Sequence, residues 1–349
     1  MKVDVPIALN RRAFIVKSAV IAGVGVGLAS CSSAAENTAS ASASAEAGDA
    51  ALGGTFVGSL AGFPFWNQIE LGARNAGTDL TGFKLQWTAP TAWTGTAQIV
   101  QFLDAAVATK PQSLAIDYRG PEYDAAIVKA LDQGAVVQLY NNFELAAQSK
   151  DPRIAALAVT SSGLNKNALA KLSAKQFSEF VSVGDELVFF NQLPGTPEWD
   201  AIQNAYVAGF ESLGWKKDQI KPFPCTLDAA ENLQIIQSYL TANPGTKGII
   251  CADVTAGGPA VKAKEKLGLD LPLITWNLEE STFADVERGA ITQNVNQQPY
   301  LQSYYAVVNL YNILKYGFVA PPYVDPGTLL ITSANVAAVK SQFDQGIAG

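Results

Sequence analysis

The chain has 349 residues, 48% of them hydrophobic and 16% charged, a globular composition with enough length for two domains. A net charge of −7 leaves no basic face for nucleic acid, and the absence of histidine removes the commonest general base and metal ligand. Three scattered cysteines, Cys31, Cys225 and Cys251, make neither a zinc site nor a dense disulfide framework.

Residues 1–31 read as an export signal ending in a lipobox. Arg11 and Arg12 open the segment Arg-Arg-Ala-Phe-Ile-Val-Lys, which resembles a twin-arginine signal and also fits an ordinary basic leader. The apolar run over 18–30 is shorter than the roughly 20 residues a membrane span needs. It suits the apolar core of a signal peptide. Leu28-Ala29-Ser30-Cys31 resembles a bacterial lipobox, so Cys31 is the expected lipidation site. Gly23, Gly25 and Gly27 do not make a dinucleotide loop, because no strand precedes them. Residues 32–53 are rich in Ala, Ser and Glu and read as a flexible tether.

From Gly54 the apolar pattern alternates between strand and helix. Strands are predicted at 55–60, 83–87, 113–117 and 135–140, with helices at 66–76, 95–109 and 121–133. The pattern then repeats, with strands at 186–191, 220–225, 248–252, 273–276 and 291–295. Helices are predicted at 199–213, 229–241, 258–267 and 299–314. Such alternation builds parallel, doubly wound sheets whose ligands sit at the carboxyl ends of the strands. The expected fold class is α/β, with two doubly wound lobes facing a shared cleft. Cys225 and Cys251 fall on strands separated by a third, so they are expected to stay separate thiols.

Several motifs in order carry a family resemblance. The first strand runs into Phe63-Pro64-Phe65-Trp66, followed by Gly72-Ala73 and Ala76, and Gln98 follows the second strand. Ala208-Gly209-Phe210, Ala252-Asp253 through Gly258, and Val295-Asn296-Gln297-Gln298-Pro299-Tyr300 complete the set. Together they resemble the ribose/galactose-type (type I) periplasmic sugar-binding proteins of ABC transporters. The resemblance implies a hinge of three crossovers, after Asn141-Asn142, near Asn296-Gln297 and near 330–335. The lobes are then expected at 54–142 plus 298–330 and at 143–297 plus 331–349.

The same resemblance places Phe63, Phe65, Trp66, Asn141, Asn142, Tyr206, Leu227, Ala252, Asn277 and Gln297 against ligand, with Asp253 beside them. Phe65 and Trp66 suit the apolar C–H face of a sugar ring, and amides pair with hydroxyls in either direction. Phe65 and Trp66 also fit plain core packing, and Asn141 and Asn142 fit turn chemistry at a strand end. The family commonly has Asp-Arg where Asn141-Asn142 stand, Arg at Tyr206, Asn at Ala252 and Asp at Asn277. A cleft so neutralised argues against ribose itself and against phosphorylated or acidic ligands. Asp117, Arg119 and Asp253 are the charges left near it.

The expected function is an extracytoplasmic solute-binding protein, monomeric and without cofactor or metal. It would be held at the cell membrane by lipid, in the periplasm or on the outer face of the cytoplasmic membrane. It would deliver a small neutral sugar or polyol to an ABC permease. A lipoprotein that senses sugar and reports to a receptor has the same features. No GxSxG, zinc spacing or carboxylate pair stands out for an enzyme.

Overall fold

The computed structural model describes residues 51–319, 321 and 323–347. The predicted export signal, Cys31 and nearly all of the tether lie outside them.

The chain builds two parallel sheets by the same winding. In the first lobe β1 (Leu52–Val57), β2 (Phe83–Thr88), β3 (Ser113–Ile116) and β4 (Val136–Leu139) lie in the order β2-β1-β3-β4. In the second, β5 (Glu186–Asn191), β6 (Ile220–Pro224), β7 (Thr246–Cys251), β8 (Leu273–Trp276) and β9 (Gln293–Asn296) follow the order β6-β5-β7-β8-β9. The edge of that sheet is β10 (Leu329–Ile331), antiparallel to β9. In both lobes the strand order reverses beside the first strand, and that reversal is where a doubly wound sheet opens a crevice.

Alternation along the strands supplies a core on each face of each sheet. Val57, Leu114 and Ile116 face α2 (Thr96–Ala108) and α3 (Asp124–Asp132). Phe56 and Ala115 face α1 (Pro64–Asp79) and α10 (Pro299–Tyr316). In the second lobe Leu187 and Phe189 face α5 (Lys166–Phe177) and α6 (Pro197–Glu211). Val188 and Phe190 face α7 (Ala229–Ala242) and α8 (Val254–Leu267). Helices α1 and α10 touch closely: a Cβ on Gly72 would lie 2.1 Å from the Tyr300 carbonyl oxygen, so only glycine fits there.

The lobe boundaries differ from those expected. The chain does not leave the first lobe at Asn142. Residues 143–162, including α4 (Pro152–Val159), stay with it, since Phe143, Ala146, Ile154 and Ala158 pack on α3's face of the sheet. Ser162 then bridges Tyr140, and Val324 bridges Ser162, extending the sheet beyond β4. Leu164 is the first residue to enter the second lobe's core. At the other end, Leu329 and Leu330 already belong to the second sheet. A run without strong periodicity hid α4, and a three-residue strand hid β10. The helix predicted at 121–133 opens as a 3-10 turn, Pro121–Tyr123, before α3. Helices α5, α9 (Glu280–Glu287) and α11 (Val336–Asp344) were not predicted.

Cys225 follows β6 and Cys251 ends β7, with β5 between those strands; both thiols are free and buried. Burial pushes Cys225 up to about 12 and Cys251 well above the usual thiol range.

Candidate ligand-binding cleft

The carboxyl ends of β1 to β9 converge on one chamber of about 80 Å³ between the lobes. At 10–15 Å³ each it has room for roughly five to eight water molecules, the size class of one small solute. The loops after β1 to β4 bring Leu60 and Phe63, Trp93, Arg119 and Asn141 in turn. Those after β5 to β9 bring Leu193, Leu227, Asp253, Asn277 and Gln297. The first turns of α6 add Glu198, Trp199 and Ile202.

Backbone conformation explains the asparagines. Asn141 and Asn277 each follow a strand with positive φ, 56° and 66°, the left-handed region that asparagine tolerates best after glycine. The turn chemistry and the site position are therefore one property of these residues.

Two carboxylates set the polarity of the chamber. Buried Asp117 accepts from Ser59 Oγ at 2.7 Å, Asn141 Nδ2 at 3.2 Å and Asn142 Nδ2 at 2.8 Å. On the other lobe Asp253 caps α8, accepting from the Thr255 N–H, and accepts from Asn277 Nδ2 at 3.0 Å. Asn277 Oδ1 in turn accepts from Gln297 Nε2 at 2.8 Å. A carboxylate only accepts, so each amide must turn its NH₂ toward it. The consequence is that Asn141 Oδ1 and Gln297 Oε1, both buried, are left without a partner. Both belong to residues that line the chamber, where a bound donor would satisfy them. Burial pushes Asp253 up to about 6, against the bonds from Thr255 and Asn277.

A second network joins the lobes. Arg119 donates from Nε to Asp117 at 2.7 Å and from Nη1 to Glu198 at 3.3 Å. Its guanidinium lies 5.7 Å from the Trp66 ring centre and 5.2 Å from that of Trp93. Glu198 also accepts from Asn142 Nδ2 at 3.1 Å and pairs with Lys166 at 2.9 Å. Lys166 Nζ donates to Asn142 Oδ1 as well. Burial would raise the Glu198 carboxyl, but Lys166 and Arg119 outweigh it and hold it below the usual range.

The predicted residues divide accordingly. Phe63, Phe65, Trp66, Asn141, Leu227, Asp253, Asn277 and Gln297 line the chamber, as does Ala252. Asn142 lies behind it in the cross-lobe network and lines an outer groove of about 680 Å³. Tyr206 is not at the site: it is fully buried in the second lobe's core, its hydroxyl bonded to Ser173 and Trp276 Nε1. It sits on a buried turn of α6, one turn beyond the chamber-lining Ile202. Trp66 lines the chamber but is only 6% exposed, and it packs on Phe65 and Tyr140. The more open aromatic faces are Trp93 and Trp199, one from each lobe. Neither was predicted, nor were Leu60, Leu193, Glu198 and Ile202. For Trp93 and Trp199 a signal existed, a tryptophan near a predicted strand-to-helix turn. The cleft is also less neutral than expected, since Arg119 and Glu198 line it as a pair.

A protein-family model described as a periplasmic binding protein domain matches residues 54–317. The chain belongs to that family. This binding protein is therefore a member of a solute-binding family that works outside the cytoplasm, and not of an enzyme family. The xylose/arabinose-binding protein of Sulfolobus acidocaldarius is 23% identical to it over 300 residues, 80% of this chain and 71% of the relative. A carbohydrate transporter from Acidothermus cellulolyticus, solved in complex with myo-inositol, superposes with a TM-score of 0.70 at 18% identity. That match covers 85% of this binding protein and 98% of the solved chain. An ABC transporter solute-binding protein from Burkholderia graminis, in complex with D-arabinose, gives 0.70 at 19% identity, covering 82% and 97%. The solved structures share the two-lobed fold.

Proposed function

We propose that this protein captures a small neutral sugar or polyol between its lobes and delivers it to an ABC permease. The observation that carries the reading is the pair of buried, unpartnered amide oxygens, Asn141 Oδ1 and Gln297 Oε1, the first amide held by Asp117 in one lobe and the second by Asn277, itself bonded to Asp253, in the other. Hydroxyl groups are the donors that suit them, and aromatic rings beside them suit sugar C–H faces. The charges in the cleft largely cancel in pairs, which favours a neutral ligand over an anion. The ligands named for the relatives, xylose or arabinose and myo-inositol, are of this class.

A thermal-shift screen of the protein against a polyol library tests the reading. A ligand at 100 times its dissociation constant adds about 2.7 kcal/mol to the stability of the folded state. No stabilisation by any sugar, cyclitol or linear polyol would refute it. The same reading has the protein act as a monomer, anchored outside the cytoplasm through lipid on Cys31. Cys31→Ala is then expected to move the protein from the membrane fraction to the soluble one, and a variant that stays in the membrane overturns the anchor.

A further inference from the structure

The chamber is divided along the strand order of both sheets. In the second sheet β9, β8 and β7 deliver Gln297, Asn277 and Asp253, while the neighbouring β5 and β6 deliver Leu193 and Leu227. Ile202 of α6 adds to the aliphatic half. In the first sheet β4 and β3 deliver Asn141 and Arg119, while β1 and β2 deliver Leu60 and Trp93. The polar halves coincide in space with the crossovers. Tyr140, just after β4, pairs with Ser162 at one crossing, and β9 runs straight into Gln297 at another. Apart from Glu198 of α6, whose carboxylate Arg119, Asn142 and Lys166 already engage, both lobes thus present hydrogen-bonding groups at the hinge end and carbon at the far end.

A fully hydroxylated ring does not match such a wall. A hydroxyl set against Leu193, Ile202 and Leu227 surrenders its water and finds no partner, whereas a hydrogen or a methyl group there gains by burial. We propose that the ligand is a sugar with one apolar edge, deoxygenated or O-methylated. Its hydroxyls face Asn141, Asn277 and Gln297, and its apolar edge faces Leu193, Ile202 and Leu227. This rests on the sugar-binding reading above and narrows it.

Calorimetry on the whole protein with matched sugars tests the proposal. The pairs are D-galactose with D-fucose, L-mannose with L-rhamnose, D-ribose with 2-deoxy-D-ribose, and D-xylose with its methyl glycosides. The deoxy or methylated member is expected to bind tighter by about tenfold or more in at least one pair, the size of effect set by one unpaired hydroxyl. The first three pairs report deoxygenation and the last reports O-methylation. Leu227→Gln gives a hydroxyl a partner at the apolar end, and Leu227 is only half-buried, so the variant is expected to fold. It should reverse or abolish the preference. Parent sugars binding as tightly as their partners in every pair that binds would overturn the proposal, as would an unchanged preference in Leu227→Gln. Either result leaves the sugar reading standing. If none of these pairs binds while a fully hydroxylated polyol of the library does, the proposal falls and the sugar reading stands; if nothing in the library binds, the sugar reading itself falls.

Discussion

Removing Glu198 should weaken ligand binding by loosening the closed arrangement of the lobes. Lys166 and Glu198 both lie in the second lobe, and Arg119 and Asp117 both lie in the first, so those pairs survive opening. Opening must break Arg119 to Glu198 at 3.3 Å, Asn142 to Glu198 at 3.1 Å and Lys166 to Asn142; Glu198 makes the first two, and the third outlasts its removal. Arg119 and Glu198 are 17% and 18% exposed, so their attraction is partly screened and shared with Asp117. About 1 kcal/mol for that pair and about 1–1.5 kcal/mol for the amide bond give roughly 2–2.5 kcal/mol. Glu198→Ala should therefore raise Kd by roughly 30- to 70-fold. Glu198→Gln keeps an acceptor for Asn142 but loses the charge, and should cost about fivefold. Glu198 also lines the chamber, so direct ligand contact has to be separated from closure. A double-mutant cycle with Arg119→Gln does this, with an expected coupling of about 1 kcal/mol that fades at high salt. Small-angle scattering of the ligand-free Glu198→Ala protein should show a larger radius of gyration than wild type. Zero coupling together with an unchanged radius would refute the closure argument.

Gln297→Ala removes one of the two unpartnered oxygens and should cost about 1–3 kcal/mol of binding by calorimetry, with little loss of stability. Trp66→Ala, by contrast, should lower stability by about 3–5 kcal/mol in denaturant as well as weaken binding, because the ring is nearly buried against Phe65 and Tyr140. Tyr206→Phe strands the Trp276 Nε1 donor and should cost about 1–2 kcal/mol of stability while leaving ligand affinity unchanged. Any large affinity loss would return Tyr206 to the site. For Asp253 the folded protein favours the protonated form, raised from 3.8 to about 6. Its ionised form costs about 3 kcal/mol at neutral pH, a cost relieved as pH falls through 6 toward 4. Asp253→Asn removes this cost but turns an NH₂ against one of the two donors, at about 1 kcal/mol, so its stability relative to wild type should fall by about 3 kcal/mol between pH 7 and pH 4, as followed by urea titration at each pH.

Strand-helix alternation was legible because parallel strands buried on both faces give unbroken apolar runs, as in Leu187 to Phe190, between amphipathic helices. That pattern, with the motifs around Phe63 and Gln297, located most of the chamber. The illegible parts have separate causes. Helix α5 buries polar and small residues, Lys166, Ser173 and Ala174, so its inward face carries little hydrophobic contrast. The first crossover was misplaced because Asn141 and Asn142 look like a chain leaving a sheet, whereas Ser162 extends that sheet through a single bridge. Tyr206 failed because position along a helix does not say which face meets the cleft, and its bond to Trp276 comes from a residue 70 positions away. Arg119 was ambiguous and Glu198 was missed for the same reason, since a charge at a loop or helix start reads as solvated until its partner across the cleft is known.

The close seat of α10 on α1 has a consequence for synthesis. Phe56, Ile69, Ala73 and Ala76 on the first lobe are covered by Ala306, Val307, Leu310 and Tyr311, which the ribosome delivers only after most of the second lobe. At about 5–20 residues per second, the interval from Gly163 to Tyr316 lasts roughly 8–30 s. Throughout it the nascent first lobe shows a greasy face in a crowded cell. Most of the second lobe, contiguous from Leu164 to Gln297, is made in that time, and β10 and α11 complete it only after α10 has closed the first.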